Sequence, residues 1–262
     1  MKYLGFSILL VCMMCQARSQ GTFQLAPPLI KYNSAFFKKQ VTASLLFAMP
    51  GTEIHYTLNG TTPTVNDAVY TRPITISKSN TILQAKVFGA GYLPSETVEA
   101  HFYKKGFPVQ SVTTSPATAP YIGEASKLTD GVGGRTSINS GSWLGYKTDT
   151  IELIAVFAKN KKINTAIIHF LQDQNSWIFL PLQVNVYIKT AQSREWVLKG
   201  QIPVLYNEKQ ADAKCVGLQL PLQSSVTTKE IKLQIINSKE IPEWHPGRGT
   251  KGWVFIDEIN FY

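Results

Sequence analysis

The sequence predicts an all-β protein built as two sandwiches in tandem, and three observations predict it. Apolar residues alternate with polar ones in period two: Thr81, Leu83, Ala85 and Val87 against Gln84 and Lys86, then Val184, Val186 and Ile188 against Asn185 and Lys189, then Ile231, Leu233 and Ile235. Such alternation marks half-buried antiparallel strands. Turn dipeptides recur between the runs, at Pro50-Gly51, Asn59-Gly60, Gly133-Gly134 and Pro246-Gly247. No long window keeps a helical stripe between capping signals, and short strands joined by such turns pack as sandwiches.

The chain opens with Lys2, an apolar run from Leu4 to Met14, and Ala17-Arg18-Ser19. This is the anatomy of an export signal cleaved after Ser19. The apolar core falls short of the roughly 20 residues that span a bilayer. Cleavage removes Cys12 and Cys15, so Cys215 alone remains and neither an intramolecular disulfide nor a cysteine zinc site is expected. The chain thus divides into 1–19 (signal), 20–105 and 106–262. An export signal places the protein in the periplasm, on the cell surface or outside the cell.

In the first unit Ile54, Tyr56 and Leu58 run inward and Asn59-Gly60 makes a hairpin turn. The runs 70–76 and 81–88 follow as strands, and Gly89 to Gly91 turns again. Asn59-Gly60-Thr61 also spells a glycosylation sequon, which the turn explains better. His55 and His101 stand on strands without a second ligand at metal spacing and read as satisfied or solvated side chains.

Beyond Lys104-Lys105-Gly106 the stretch SVTTSPATAP is either a linker or an irregular first strand. Three apolar blocks come after it: IELIAVFA, the run from Ile163 to Thr190, and EIKLQII. The formal net charge is +9, carried by lysine pairs (Lys38-Lys39, Lys104-Lys105) and a short run from Lys159 to Lys162. A solvated surface is the plain reading of that charge, acidic glycans the alternative, and nucleic acid is not expected.

Two sets of motifs carry a resemblance. Y-T-L-N-G-T-T-P-T (56–64), Y-T-R-P-I-T-I (70–76) and A-G-Y-L-P-S (90–95) resemble the small immunoglobulin-like domain near the C-terminus of chitobiases and β-hexosaminidases. L-T-D-G (128–131), W-L-G-Y (143–146), F-L-Q-D-Q-N-S-W-I (170–178) and W-H-P-G-R-G-T-K-G-W-V-F-I-D-E-I (244–259) resemble a discoidin-like, eight-stranded jelly roll. The same pairing, in this order, closes certain bacterial family 20 β-N-acetylhexosaminidases. The implied fold is an immunoglobulin/fibronectin-like sandwich followed by a discoidin-like jelly roll.

The C-terminal motif also contains G-x-G-x-x-G at Gly247, Gly249 and Gly252. A dinucleotide fingerprint needs a helix after it, and here a strand follows, so no pyrophosphate cradle is expected. Catalysis lacks support as well. The adjacent Asp257 and Glu258 lie on a strand and are expected to face opposite ways. Neither a nucleophile elbow nor a Cys–His arrangement appears, nor does the barrel on which family 20 enzymes carry their acids.

The resemblance implies glycan binding on loops at one end of the second sandwich, with an aromatic ring under a pyranose and polar groups reading hydroxyls. It places there Asn139, Trp143, Asp173, Gln174, Asn175, Trp177, Trp244, His245 and Arg248. Trp244 is the expected platform because Pro242, Pro246 and Gly247 frame it in a loop, whereas W-I-F-L-P around Trp177 and G-W-V-F-I around Trp253 read as core. The resemblance also implies a structural calcium held by Asp130 and Glu258, with Thr136 and Ser137 as further oxygen donors. Gly133 and Gly134 stand where a side-chain oxygen belongs, so a calcium-independent turn stays open. Three functional readings remain: a non-catalytic binder of N-acetylhexosamine- or galactose-containing glycans, a module docking to a partner glycoside hydrolase, and a ligand-free remnant.

Overall fold

A computed structural model describes residues 23–189, 195–204, 209 and 212–262. The export segment with Cys12 and Cys15 lies outside the described residues. The first sandwich contains β1 (Leu29–Lys31), β2 (Phe36–Phe37), β3 (Val41–Leu46), β4 (Thr52–Thr57), β5 (Ala68–Val69), β6 (Ile74–Ile76), β7 (Thr81–Gly89) and β8 (Val98–Lys104). One sheet has the order β1-β3-β6 and the other β2-β8-β7-β4-β5. Leu83, Ala85 and Val87 fill the space between them with Ala43, Leu45, Ile54 and Phe102. Each fully buried aliphatic side chain contributes about 1.5–3 kcal/mol relative to exposure.

The expected phase of β4 fails at its end. Ile54 is buried and Tyr56 packs against the core, but Leu58 is 41% exposed. The strand stops at Thr57, and the Gly60 N–H donates to the Ile82 carbonyl. Gly60 takes φ +79°, a conformation open to glycine. Asn59-Gly60 therefore starts the long connection to β5 rather than a tight hairpin, and β4 pairs with both β5 and β7.

The second sandwich comprises β9 (Ser111–Thr114), β10 (Leu144–Tyr146), β11 (Thr150–Gln172), β12 (Gln183–Ile188), β13 (Val197–Pro203), β14 (Lys214–Ile236) and β15 (Val254–Phe261). SVTT is thus a strand and not a linker. Both β11 and β14 are 23 residues long and serve two layers. The first part of β11 pairs with β9 and the end of β14, and its second part with β15 and the start of β14. The register breaks between Val156 and Lys161, inside the lysine run, which is where a strand bends from one sheet to the other. The core between the layers holds Ile151, Leu153, Phe157, Ile168, Phe170, Val184, Val186, Ile231, Leu233 and Ile256.

Among the described residues no backbone ladder joins the sandwiches; they dock through a seam of side chains. Ala35, Phe36, Tyr103 and Ile167 form a buried cluster flanked by Tyr32 and Tyr262. Phe36 stacks on Tyr103 at 5.4 Å and sets its edge on His169 at 5.3 Å. The Ser34 hydroxyl donates to Gly131 O at 3.0 Å and accepts from Gly133 N–H at 3.1 Å. Tyr103 OH reaches Gly217 O at 3.4 Å, and Gly106 N–H donates to Asn260 Oδ1 at 2.9 Å.

Candidate functional site

The loops 115–143, 147–149, 173–182 and 237–253 all cross between the two layers at one end of the second sandwich. Residues 174–176 make a 3₁₀ turn, and Trp177 ends it in the left-handed region at φ 61°. That conformation costs a large side chain of order 1–3 kcal/mol and persists only where the surroundings impose it. Here Asp173 N–H donates to Ile178 O and Ile178 N–H to Asp173 O. Trp253 N–H donates to Trp177 O at 2.8 Å, and Phe179 N–H to Trp253 O at 2.9 Å.

The loop after β14 wraps onto this turn through His245. Its Nδ1 accepts from Gly247 N–H at 3.0 Å, so Nε2 is the donor to Gln174 O at 2.8 Å. The imidazole is buried with both nitrogens engaged, and its role is to tie two loops together rather than to read a ligand. Trp177 lies 5.3 Å from its ring and Trp244 5.5 Å, both nearly perpendicular to it. Trp177 is 42% exposed and Trp244 38%. Gly247 backs the Trp177 indole so closely that a Cβ there would overlap it. The glycine motif at the C-terminus therefore serves to seat an indole.

The remaining expected residues divide. Asn175 and Arg248 are exposed beside the two indoles in sequence, Asp173 is half-buried and Gln174 is buried. Asn139 is exposed on a 3₁₀ turn whose Ile138 packs with Trp143, Leu171 and Ile178. Trp143 is a correction: it is 3% exposed, its Nε1–H donates to Arg135 O, and it stacks on His169 at 5.8 Å. It has no face to offer a sugar. Trp253, read as core, is half-buried, with the Lys147 ammonium 5.4 Å from its ring and Tyr121 edge-on at 5.2 Å.

The acidic pair of β15 also differs from expectation. The pairing with β11 shifts register between His169 and Phe170, so two β15 residues, Asp257 and Glu258, fall in a bulge. Both turn toward the loop 130–134: Glu258 Oε2 accepts from Gly131 N–H at 2.8 Å, and Asp257 Oδ2 from Gly134 N–H. Asp257 Oδ1 also lies 2.7 Å from His169 Nδ1. A Cβ on Gly134 would strike both Asp257 and Trp143, and one on Gly133 would strike Ala35. Close approach explains both glycines.

This cluster is sealed. His169 is 1% exposed and Asp257 0%, under Phe36 and Trp143. Burial holds Asp257 above the usual carboxylate range against the opposing pull of His169, and pushes Glu258 up to about 9. Cys215 donates weakly to Gly134 O at 3.6 Å, and burial, with the charge of Asp257, pushes its thiol up. A nucleophilic cysteine needs the opposite shift.

The expected calcium ligands do not fit calcium in this arrangement. Glu258 spends Oε2 on Gly131 N–H and Oε1 on Asn260 Nδ2 at 3.1 Å. Asp130 Oδ1 accepts from Val132 N–H, and the Lys105 ammonium stands 3.4 Å from the Asp130 carbonyl. Thr136 and Ser137 are exposed. Among the described residues no group of three or more His, Cys, Asp or Glu side chains is arranged to hold a metal ion.

Comparison with known proteins adds one family. Residues 32–99 match the chitobiase/beta-hexosaminidase C-terminal domain. The chitobiase-type segment takes in most of the first sandwich and agrees with the motifs that Tyr56, Pro73 and Ser95 belong to. No curated protein sequence matches the chain. Similar solved structures include the C-terminal domain of a Bacteroides fragilis chitobiase, 20% identical over 59% of this chain and 91% of that one, TM-score 0.36. A CBM32 module produced by Clostridium perfringens is 16% identical over 58% of this chain and 94% of that one, TM-score 0.35. A Ruminococcus gnavus GH29 fucosidase in complex with fucose is 15% identical, TM-score 0.35, and the match takes in 58% of this chain but 24% of the fucosidase. At such TM-scores the structural likenesses carry no argument about function. Among the described residues no helix is long and apolar enough to cross a membrane.

Proposed function

We propose that the protein is an exported, non-catalytic glycan binder whose site is the loop end of the second, discoidin-like sandwich. The observation that carries this is the pair of half-exposed indoles, Trp177 and Trp244, held on either side of the buried His245. A rigid aromatic face matches the C–H face of a pyranose and gives up little conformational freedom on binding. The left-handed backbone at Trp177 and the overlap that fixes Gly247 favour this, because strain of that kind gathers at binding sites. Asn175, Arg248 and Asp173 are the polar readers, with Asn139 at the rim.

The chitobiase-type first sandwich favours N-acetylhexosamine-containing glycans over galactose-terminated ones, since that is the chemistry its family is named for. It serves as a rigid mount, divided from the binding sandwich at Lys105-Gly106. The same family match supports a second reading, in which the indoles dock to a partner glycoside hydrolase. Titration of the chain with chito-oligosaccharides, alongside Trp177→Ala and Trp244→Ala, separates the two. Loss of about tenfold in affinity (about 1.4 kcal/mol) in each variant supports the sugar platform. Absence of sugar binding, with a hydrolase retained by wild type and lost by both variants, supports docking.

A further inference from the structure

The fold gathers lysines that the sequence scatters. Parallel pairing sets Phe37 of β2 beside Lys104 of β8, and Lys105 N–H donates to Phe37 O, so Lys38-Lys39 adjoin Lys104-Lys105. Lys104 N–H donates to Ser79 Oγ, which brings in Lys78. The Tyr262 hydroxyl donates to Lys104 O, while Asn164 N–H donates to Tyr262 O and Tyr262 N–H to Thr165 O. These bonds tie the bend of β11 to the same neighbourhood, where Lys161 lies 5.0 Å over Phe107.

Charge is segregated to this face. The segments 31–41, 74–82, 102–114 and 157–165 contain nine lysines and no Asp or Glu, equal to the formal excess of +9 for the whole chain. Outside them basic and acidic residues are equal in number. Lys38, Lys39, Lys78, Lys104 and Lys162 are exposed, and among the described residues none of them, nor Lys161, forms an ion pair with a side-chain carboxylate. The face lies at the end of β15 away from the indoles, about 23 Å from them at 3.3 Å per residue.

We propose that this seam-side lysine face is a second binding site, for a polyanionic polysaccharide bearing carboxylates or sulfates. The four segments hold no arginine, so they lack the planar fork that grips a single phosphate or carboxylate bidentately, and they suit diffuse charge along a chain. They carry no exposed large apolar side chain with which to enter a membrane. Phe107, the aromatic at the centre, lies under Lys161 and is half-buried, which leaves no platform for stacked bases.

The test is binding of the full chain to polygalacturonate across a salt series, with duplex DNA and anionic lipid vesicles as competing polyanions. The variant K38S/K39S/K104S/K162S is compared with R72S/K86S/K199S/K239S, which removes equal charge elsewhere. The proposal expects the first variant to lose at least tenfold in affinity at low salt. Its slope of log K against log salt becomes shallower by about 3, at roughly 0.7 per phosphate-like contact. The second variant and Trp244→Ala stay within about threefold of wild type, which separates this site from the indole site. Equal loss in the two lysine variants, no binding at low salt, or tighter binding to DNA or vesicles than to polygalacturonate overturns it. Since the four substituted lysines are exposed, the melting temperature is expected to stay within about 2 °C, and the single variants K39S and K162S repeat the test with less perturbation.

Discussion

Phe36→Ala probes the seam, because this ring belongs to the junction cluster rather than to either core. It is 2% exposed, stacked on Tyr103 and edge-on to His169. Truncating a buried Phe costs about 3–5 kcal/mol, and each lost aromatic pair accounts for about 0.5–1.5 kcal/mol of that beyond area. The first sandwich supplies the ring and the second most of its far wall, so the loss of about 4 kcal/mol falls on docking. Calorimetry should show one transition in wild type and two in the variant. The first sandwich is the smaller unit, and its transition should fall by more than about 10 °C, at roughly 4–8 °C per kcal/mol for a domain of that size. A single transition within about 2 °C of wild type would rule out a seam that couples the sandwiches, and so would two transitions already present in wild type.

Three further outcomes stem from the same geometry. Glu258 keeps its proton in the folded protein from its ordinary value of 4.5 up to about 9, whereas the unfolded chain releases it, so stability is greatest below that window and falls as pH rises through it. Melting temperature should drop by several degrees between about pH 5 and 9, with a flatter profile in Glu258→Gln; a rising profile would contradict the burial of this carboxyl. Gly247→Ala should displace the Trp177 indole, quenching or shifting tryptophan fluorescence and weakening glycan binding about tenfold; unchanged binding would sever the link between that glycine and the site. Calcium and chelator should each leave the melting temperature within about 1 °C, because Glu258 and Asp130 already spend their oxygens on hydrogen bonds within the protein; a calcium-induced rise of several degrees would show a rearranged, metal-bound loop.

The strands were legible because their cause is local. Leu83, Ala85 and Val87 alternate with polar neighbours, and each is buried as the period-two pattern requires. What the pattern could not carry was set by distant partners. The bulge that brings Asp257 and Glu258 to one loop arises where β15 meets His169 and Phe170, far away in sequence. Leu58 faces solvent because Gly60 bonds to Ile82. The same holds at the site: Pro242, Pro246 and Gly247 announce an exposed Trp244, while Trp177 sits in an apolar run and is exposed only because its backbone turns left-handed. His245 and Trp143 look like ligand-facing residues in sequence, yet Gln174 and His169, which bury them, come from other strands and turns.

Whether Trp177 and Trp244 form a sugar platform decides the functional reading. A glycan-array screen of residues 20–262 with wild type, Trp177→Ala and Trp244→Ala is the sharpest test of it. The expected result is a set of N-acetylhexosamine-containing hits whose signal falls about tenfold in both variants, with and without calcium. A folded wild-type protein that leaves the array blank, or hits that survive both substitutions, would overturn the sugar platform.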